Sequence, residues 1–580
     1  SRVKRDFFMP LRFNIPPLAV GMKGTGHPAK LKERSGVSCG GMIMDFISHL
    51  MKENIIHTDK TLLHDHCGIV GMFSSKDARL FTKGLTGIQT LQTRGYDGAG
   101  FWAETQEGTV YSYKGEGMVR EVFSKHIVDT YSSLEAKLWV YQVRYGTNGG
   151  FHPENVQPFE GIHILSGDRF ALAHNGQFSR DTTKNGALAE KSDTAIFAEE
   201  LSNSPGIHWE ERIVRTLEYK RGAWSLVIGT RDDLYVARDS LGIRPLVYGH
   251  IYDALKSETI WVVASETSAL SEMGVKDFFE VLPGTIAKIN SEGLTVIQKT
   301  KYAKRALCIF ENVYIQNGES KAHLPRTRLR QIARSPNVSD VRKRSGKILA
   351  RESPVDKTEV DMIIGVPGTG IEVGISFARA LNIPYYQAIT DKADSLSEQR
   401  TFMSARIDKI YQKVLDHFVF DKQTLKDKRV VLVDDSIVRG NIAKGLVYLL
   451  KNYFHVSSVH LRILSPAIDK PCHLGVNTRT RGELIASTYD GDTEKICEAL
   501  NADSLAYLSP VGLKEALTGD PYARGFCMGC MLGNSFPIDE FGRVIQKKNQ
   551  IQKKKIQQEN KQEMSVLQTG LTKNLLPIIV

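Results

Sequence analysis

At 580 residues the chain is long enough for two or more domains, and 41% hydrophobic with 24% charged residues is an ordinary globular composition. No apolar run approaches the roughly 18 residues of a membrane span, so no membrane partner is expected. The net charge of +11 sits at the ends: residues 1–66 carry ten Lys and Arg against six Asp and Glu, and residues 546–580 carry seven Lys against Glu559 and Glu563. Little charge is left for 67–545, which argues against a basic face for nucleic acid. In chain order, the first 40 residues mix Arg, Lys, Pro and Gly, with Asp6 and Glu33 as their acids. Residues 1–66 are expected to be a leader or propeptide, disordered or cleaved. Seven cysteines make no disulfide framework, so a reducing interior is expected. That means the cytoplasm, or a plastid or mitochondrion if the leader is a transit peptide.

Cys67-Gly68-Ile69-Val70-Gly71-Met72-Phe73 opens a strand-like segment directly after His64-Asp65-His66. A strand cysteine is ordinarily a small hydrophobe, but its companions point elsewhere. They are Arg94-Gly95-Tyr96-Asp97-Gly98-Ala99-Gly100, Gln142-Val143-Arg144-Tyr145-Gly146-Thr147, Ala173-His174-Asn175-Gly176 and Ser192-Asp193-Thr194. In this order they resemble the glutaminase domain of the N-terminal-nucleophile class II amidotransferases. Arg238-Asp239-Ser240-Leu241-Gly242-Ile243-Arg244-Pro245-Leu246 and Val263-Ala264-Ser265-Glu266 extend the match to about residue 290. Splitting an amide needs a nucleophile, a base and an oxyanion site. Cleavage before Cys67 would free an α-amine to act as base for the thiol. The resemblance implies that Cys67 is the nucleophile, that Arg144 holds the α-carboxylate of glutamine and that Asp193 holds its α-ammonium. It further implies that Asn175 and the Gly176 amide hold the oxyanion. Tyr96 stands where Gln is usual in the closest subfamily, and Gln142 where His is; both are expected to alter loop packing and leave the reaction alone.

Beyond residue 305 strands alternate with helices, as in a doubly wound parallel sheet. Residues 361–366 read as a strand, Pro367-Gly368-Thr369-Gly370 as a turn, and 371–381 as a helix. The apolar run Val430-Val431-Leu432-Val433 reads as a buried strand ending in Asp434-Asp435, followed by Ser436-Ile437-Val438-Arg439-Gly440-Asn441 and a helix over 443–452. Two acids at a strand's carboxyl end suit ribose hydroxyls and hydrated Mg²⁺, and turn amides at a helix start suit a phosphate. This resembles the phosphoribosyl pyrophosphate signature of the type I phosphoribosyltransferases. The resemblance implies substrate contacts from Asp434, Asp435, Ser436, Arg439, Gly440 and Asn441, with Mg²⁺ at Asp434, Asp435 and Thr369. Ile442 and Ala443 replace the usual hydroxyl residues, and the loop over 391–402 is longer and less basic than usual.

Cys527-Met528-Gly529-Cys530 is a Cys-x-x-Cys pair, with Cys308 and Cys472 upstream. Four thiolates suit a [4Fe–4S] cluster or a structural zinc. The segments Cys308-Ile309-Phe310-Glu311-Asn312-Val313-Tyr314 and Lys470-Pro471-Cys472-His473-Leu474-Gly475 resemble cluster-ligand segments, which favours iron; Cys39 and Cys497 have no assigned role.

Over 67–545 the whole resembles the amidophosphoribosyltransferase family, iron–sulfur subgroup. The implied architecture is an α+β N-terminal-nucleophile glutaminase sandwich (67–300), an α/β type I phosphoribosyltransferase domain (301–545) and a basic low-complexity tail (546–580). The implied reaction turns glutamine, phosphoribosyl pyrophosphate and water into 5-phosphoribosylamine, glutamate and pyrophosphate. Purine nucleotides as feedback inhibitors and a homodimer or homotetramer are implied as well. The alternatives are a glutaminase or ammonia-delivering paralogue with a weakened phosphoribosyl site, and a non-catalytic iron–sulfur regulatory protein. A hexosamine synthase is disfavoured by Asp434-Asp435-Ser436.

Overall fold

The computed structural model describes residues 67–145, 153–179, 192–253, 258–300, 304–325, 332–392, 409–476, 478, 480–531, 536–539 and 543. The expectations for the leader, for 393–402 of the substrate loop and for the tail concern residues outside these. Among the described residues no helix is long and apolar enough to cross a membrane.

The first part of the chain forms β1 (Gly68–Ala78), β2 (Gly98–Glu104), β3 (Val110–Glu116), β4 (Ala136–Arg144), β5 (Phe159–Ile162), β6 (Arg169–Phe178) and β7 (Gly222–Thr230). It continues through β8 (Leu234–Arg238), β9 (Val247–Asp253), β10 (Glu258–Ala264), β11 (Phe279–Glu280), β12 (Thr285–Asn290) and β13 (Gly293–Lys299). These make two antiparallel sheets, ordered β11-β9-β10-β1-β4-β2-β3 and β13-β12-β8-β7-β6-β5. Strand alternation builds the layers. Ile69 and Phe73 of β1 and Leu138 and Val140 of β4 meet Ala171, Val227 and Val236 of the other sheet. The intervening Val70 and Met72 face α1 (Phe81–Thr90), whose Phe81 and Ile88 pack on them. α2 (Asp193–Ser202) and α3 (Trp209–Glu218) cover the second sheet through Phe197, Leu201, Ile213 and Leu217. The result is a four-layered sandwich. Its sheets approach closely because Gly229 lies beneath Leu138: a Cβ there would come within 2.5 Å of a leucine methyl.

The second part has α4 (Val338–Glu352), α5 (Thr369–Leu381), α6 (Asn441–Asn452) and α7 (Pro510–Thr518) around a parallel sheet. With β14 (Leu307–Cys308), β15 (Met362–Gly365), β16 (Ile389–Asp391), β17 (Phe418–Phe420), β18 (Arg429–Asp434), β19 (Ser458–Ile463), β20 (Ser504–Tyr507) and β21 (Phe526–Cys527), the sheet order is β15-β18-β19-β20. Ile363, Val431 and Val433 face Val373 and Phe377 of α5 and Leu349 of α4. The alternate Ile364, Val430 and Leu432 face Leu446 and Leu450 of α6. Both faces are covered, which is why β18 is apolar throughout. Helices α5 and α6 each begin two residues earlier than the sequence pattern suggests. Gly368 (φ 89°) and Gly440 (φ 80°) take left-handed backbone, so the chain enters each helix directly from the turn.

The two parts share one core. Ala223, Leu241 and Ile243 pack with Cys308, Phe310 and Val313. The Ala306 amide donates to the Leu241 carbonyl at 2.8 Å and the Cys308 amide to the Ile243 carbonyl at 3.2 Å. Leu138→Ala should cost about 2–5 kcal/mol by opening a cavity between the sandwich sheets. A lowered thermal midpoint, read by circular dichroism, checks this.

Candidate functional site: a thiol centre and an acid-pair centre

Cys67 immediately precedes β1, and the register Gly68↔Val143 sets it opposite Arg144 at the end of β4. The entry to β1 is clamped from β10: the Ile69 amide donates to Ser265 Oγ and the Ser265 amide to the Ile69 carbonyl, both at 3.0 Å. Arg94 Nε donates to the Cys67 carbonyl at 3.2 Å. The half-buried thiol is pushed up by burial and by Asp193, against the opposing pull of the Tyr145 carbonyl contact and the Arg144 charge. Arg144 is buried and donates through Nη1 to the Asn155 carbonyl, while its Nε has no partner among the described residues. Desolvation lowers its pKa, with Cys67, Asp97 and Asp193 holding it up. Asp193 heads α2 and accepts from the Phe178 amide at 2.9 Å. A thiol with an incompletely satisfied guanidinium and a carboxylate close by complements a zwitterionic amino acid.

Asn175 and Gly176 sit on β6 opposite Ser225 and Trp224. Asn175 is fully buried; its Nδ2 faces Ser265 Oγ at 3.5 Å and its Oδ1 has no partner among the described residues. Gly176 has φ 135°, and a Cβ there would lie 2.0 Å from the Ala223 carbonyl oxygen, so only glycine fits. Gln142 corrects an expectation. It lies within β4, not in a loop, and its Nε2 donates at 2.9 Å to the carbonyl of His174, the neighbour of Asn175. His174 is held in turn by Gln157 (2.8 Å) and Thr194 (2.8 Å). Tyr96 is half-buried, and its hydroxyl is pushed up by burial and by Asp391 of β16, so it faces the second part of the chain. Ser265, Gln157 and Thr194 carry no chemistry in the sequence; only their positions just after β10, before β5 and on α2 bring them here.

The second centre lies at the carboxyl edge of the parallel sheet, where ligands bind in doubly wound folds. Gly365 pairs with Val433, so the turn after β15 and the end of β18 meet. Thr369, the first residue of α5, donates its hydroxyl to Asp435 Oδ2, and Ser436 Oγ donates to Asp435 Oδ1 at 2.6 Å. Gly370 is required by close approach: a Cβ would stand 2.7 Å from the Val433 carbonyl. Burial pushes up both Asp434 and Asp435. Asp435 drives Asp434 higher still, whereas Ser436, Thr369 and the Arg342 charge hold Asp435 back. Arg439 pairs with Glu483 at 2.9 Å, and Gly440 and Asn441 form the start of α6. Ala443 is buried and Ile442 packs against the same core. Two adjacent acids in excess of their local cations suit a divalent ion that keeps several waters. Among the described residues no group of three or more His, Cys, Asp or Glu is drawn together tightly enough to hold a metal.

Cys308, Cys472, Cys527 and Cys530 lie near one another without forming a tight metal-holding group among the described residues. Cys308 and Cys527 are register partners on β14 and β21. The Cys530 carbonyl accepts from the Asp469 amide at 3.0 Å, which brings it beside the Cys472 segment. Cys308, Cys527 and Cys530 are buried and Cys472 half-buried. Burial, with Glu311 and Cys472, pushes Cys308 up to about 11, and burial with the other thiols pushes Cys527 and Cys530 further. Cys497 stands apart, its thiol facing the Ala502 carbonyl at 3.3 Å. Cys39 lies outside the described residues.

Comparison with known proteins adds an independent line. The glutamine amidotransferase domain family matches residues 154–272. The amidophosphoribosyltransferase of Bacillus subtilis (strain 168) is 33% identical over 492 residues, covering 83% of this chain and 96% of the relative. That of Drosophila melanogaster is 31% identical, covering 84% and 92%. Amidophosphoribosyltransferase 2, chloroplastic, of Arabidopsis thaliana is 33% identical, covering 82% and 80%. The solved structure of glutamine phosphoribosylpyrophosphate amidotransferase from B. subtilis complexed with ADP and GMP superposes with a TM-score of 0.69 at 30% identity, covering 83% of this chain and 99% of that one. With 33% identity over 83% of this chain and 96% of the relative, and the fold shared along nearly the whole solved structure, the chain belongs to the amidophosphoribosyltransferase family.

Proposed function

We propose that the protein converts glutamine, phosphoribosyl pyrophosphate and water to 5-phosphoribosylamine, glutamate and pyrophosphate, the first committed step of purine synthesis. The observation that carries this is the pairing, in one folded unit, of a thiol flanked by Arg144 and Asp193 with an acid-pair crevice at Asp434 and Asp435. Arg144 receives the α-carboxylate of glutamine and Asp193 its α-ammonium. Cys67 Sγ attacks the side-chain carboxamide, and the oxyanion forms against Asn175 Nδ2 and the Gly176 amide. Ammonia departs, and water then releases glutamate from the cysteine. With the leader removed, the α-amine of Cys67 takes the thiol proton and returns it to the leaving nitrogen.

In the second centre, Asp434 and Asp435 hold the ribose hydroxyls, while Ser436, Arg439, Asn441 and the Gly440 turn hold the 5′-phosphate at the start of α6. Mg²⁺ at Asp434, Asp435 and Thr369 supplies charge neutralisation for the departing pyrophosphate when bound. Ammonia passing between centres needs a path closed to water, since protonation would remove its nucleophilicity. Ile442 and Ala443 take up core packing where hydroxyls are usual, so two phosphate hydrogen bonds worth about 0.5–1.5 kcal/mol each are missing. This reading fits a working enzyme with a raised KM better than a glutaminase alone.

The finer assignments are also proposals. Buried Cys308, Cys527 and Cys530 with half-buried Cys472 suit a [4Fe–4S] cluster or a structural zinc, and the resemblance of the Cys308 and Cys472 segments to cluster-ligand segments favours the cluster. The relative solved with ADP and GMP supports control by purine nucleotides. A homodimer or homotetramer rests on the family resemblance. The cytoplasm is proposed, or a plastid if residues 1–66 are a transit peptide, as the chloroplastic relative suggests.

Cys67→Ala should abolish glutamine-dependent synthesis while ammonia-dependent pyrophosphate release persists, and N-terminal sequencing of active protein should begin at Cys67. An intact leader on fully active protein would contradict the proposed base. Asp434→Asn should remove transferase activity yet raise the melting temperature of protein kept in EDTA at pH 8. The sign follows from the raised carboxyl: its contribution is full below the ordinary carboxylate range near pH 4 and is lost as pH rises through the folded-state titration. The gain should therefore shrink on acidification, as melts across pH would show. Purified protein should be brown and contain iron and sulfide. Zinc alone would favour the structural alternative.

A further inference from the structure

Outside the groups just assigned, the least expected feature is a fully buried quartet of charges at the seam of the two parts. Arg94 Nη1 pairs with Glu266 at 2.5 Å and with Glu311 at 3.0 Å, and its Nη2 pairs with Glu311 at 3.0 Å. Arg244 Nη1 meets the same Glu311 at 3.3 Å, and its Nη2 donates to the Leu474 carbonyl. All four side chains are at most 3% exposed. Glu266 is anchored by the Asn317 amide (2.9 Å) and Ser320 Oγ (2.7 Å). The remaining arm of Arg94, Nε, donates to the Cys67 carbonyl. Glu311 opens the π-helical turn Glu311–Ile315, a geometry common at functional positions. It belongs to the transferase part, not to the sandwich that carries Cys67.

We propose that Glu311 is a positioning residue for glutamine hydrolysis: it fixes the Arg94 guanidinium, which in turn fixes the Cys67 backbone. This rests on the reading of Cys67 as the nucleophile. The fork geometry carries the inference. A guanidinium that spends both terminal nitrogens on carboxylates from opposite sides has one orientation left for Nε, and that arm points at Cys67. Without Glu311, Arg94 keeps Glu266 as its carboxylate partner and the ion pair from Arg244 to Glu311 is lost. Arg94 then turns toward Glu266, and the carbonyl of Cys67 loses its donor. A displacement of about 1 Å at a nucleophile costs about a hundredfold in rate. The arrangement also makes the transferase part necessary to the thiol centre, although it contributes nothing that touches glutamine.

The test compares Glu311→Gln, Glu311→Asp and Cys67→Ala in the full chain. Glu311→Gln should lower glutamine-dependent kcat about a hundredfold, with KM for glutamine within about threefold, since Arg144 and Asp193 are untouched. Alkylation of Cys67 by iodoacetamide should slow, while ammonia-dependent pyrophosphate release stays within about twofold of wild type. Glu311→Asp keeps the charge on a shorter arm and should fall between, which preserves the test if Glu311→Gln does not fold. Glutamine-dependent kcat unchanged in folded Glu311→Gln overturns the proposal. So does a parallel fall in glutamine- and ammonia-dependent rates, the mark of a purely structural role. If Cys67→Ala still uses glutamine, the nucleophile reading itself fails, whatever the Glu311 variants do.

Discussion

Burying two guanidiniums and two carboxylates at one seam is the constraint on which the rest of the structure depends. Each ion costs several kcal/mol to desolvate, so the quartet is tolerable only when complete. Burial opposes the charge on both Arg94 and Glu311, yet the pairing holds Arg94 well above and Glu311 below their ordinary pKa values. Arg94 and Arg244 come from two motifs of the sandwich and Glu311 from the segment after it, so neither part can satisfy its interior alone. The backbone reinforces this. β14 is stitched on one side to Leu241 and Ile243 and on the other to β21. Docking is thereby built into the core.

The two centres answer opposite electrostatic problems. Around Cys67, Arg144 and Asp193 act on the thiol in opposite senses, a pair that suits a molecule carrying both charges. At the sheet edge, Asp434 and Asp435 lie side by side and each raises the cost of charge on the site, with Arg342 as the cation that offsets Asp435. One short turn touches the supports of both. Glu311 holds Arg94, while the carbonyls of Val313 and Gln316 accept from Arg342 at 3.1 and 2.7 Å, and Arg342 stabilises the charge on Asp435.

Close approach matters as much as charge. Gly176, Gly229 and Gly370 stand where a single added carbon would strike backbone or a core side chain. At Gly176 this frees the β6 backbone beside Asn175. At Gly370 it lets α5 lie against the end of β18, so that Thr369 reaches Asp435. Neither centre would close around a residue with a Cβ at these positions.

What the sequence determined by itself was mostly local. The apolar run at 430–433, the acids that end it and the glycine turns before α5 and α6 announced a parallel strand and an anion-ready helix start, because strand burial and turn geometry are written in neighbouring residues. The order of Cys67, Arg144, Asn175 and Asp193 was also legible, since each sits in a short motif. The helix starts were misplaced by two residues because left-handed glycine backbone shortens a turn without leaving a periodic signal. Gln142 was expected to act on loop packing, because its partner, the His174 carbonyl, lies in the facing sheet and leaves no local signal. Ser265, Arg94 and Glu311 gained their positions around Cys67 only in three dimensions, where residues up to 217 apart in the chain share one buried contact. Long-range charge pairing obeys no spacing rule, so only the tertiary structure decided which acid completes which arginine.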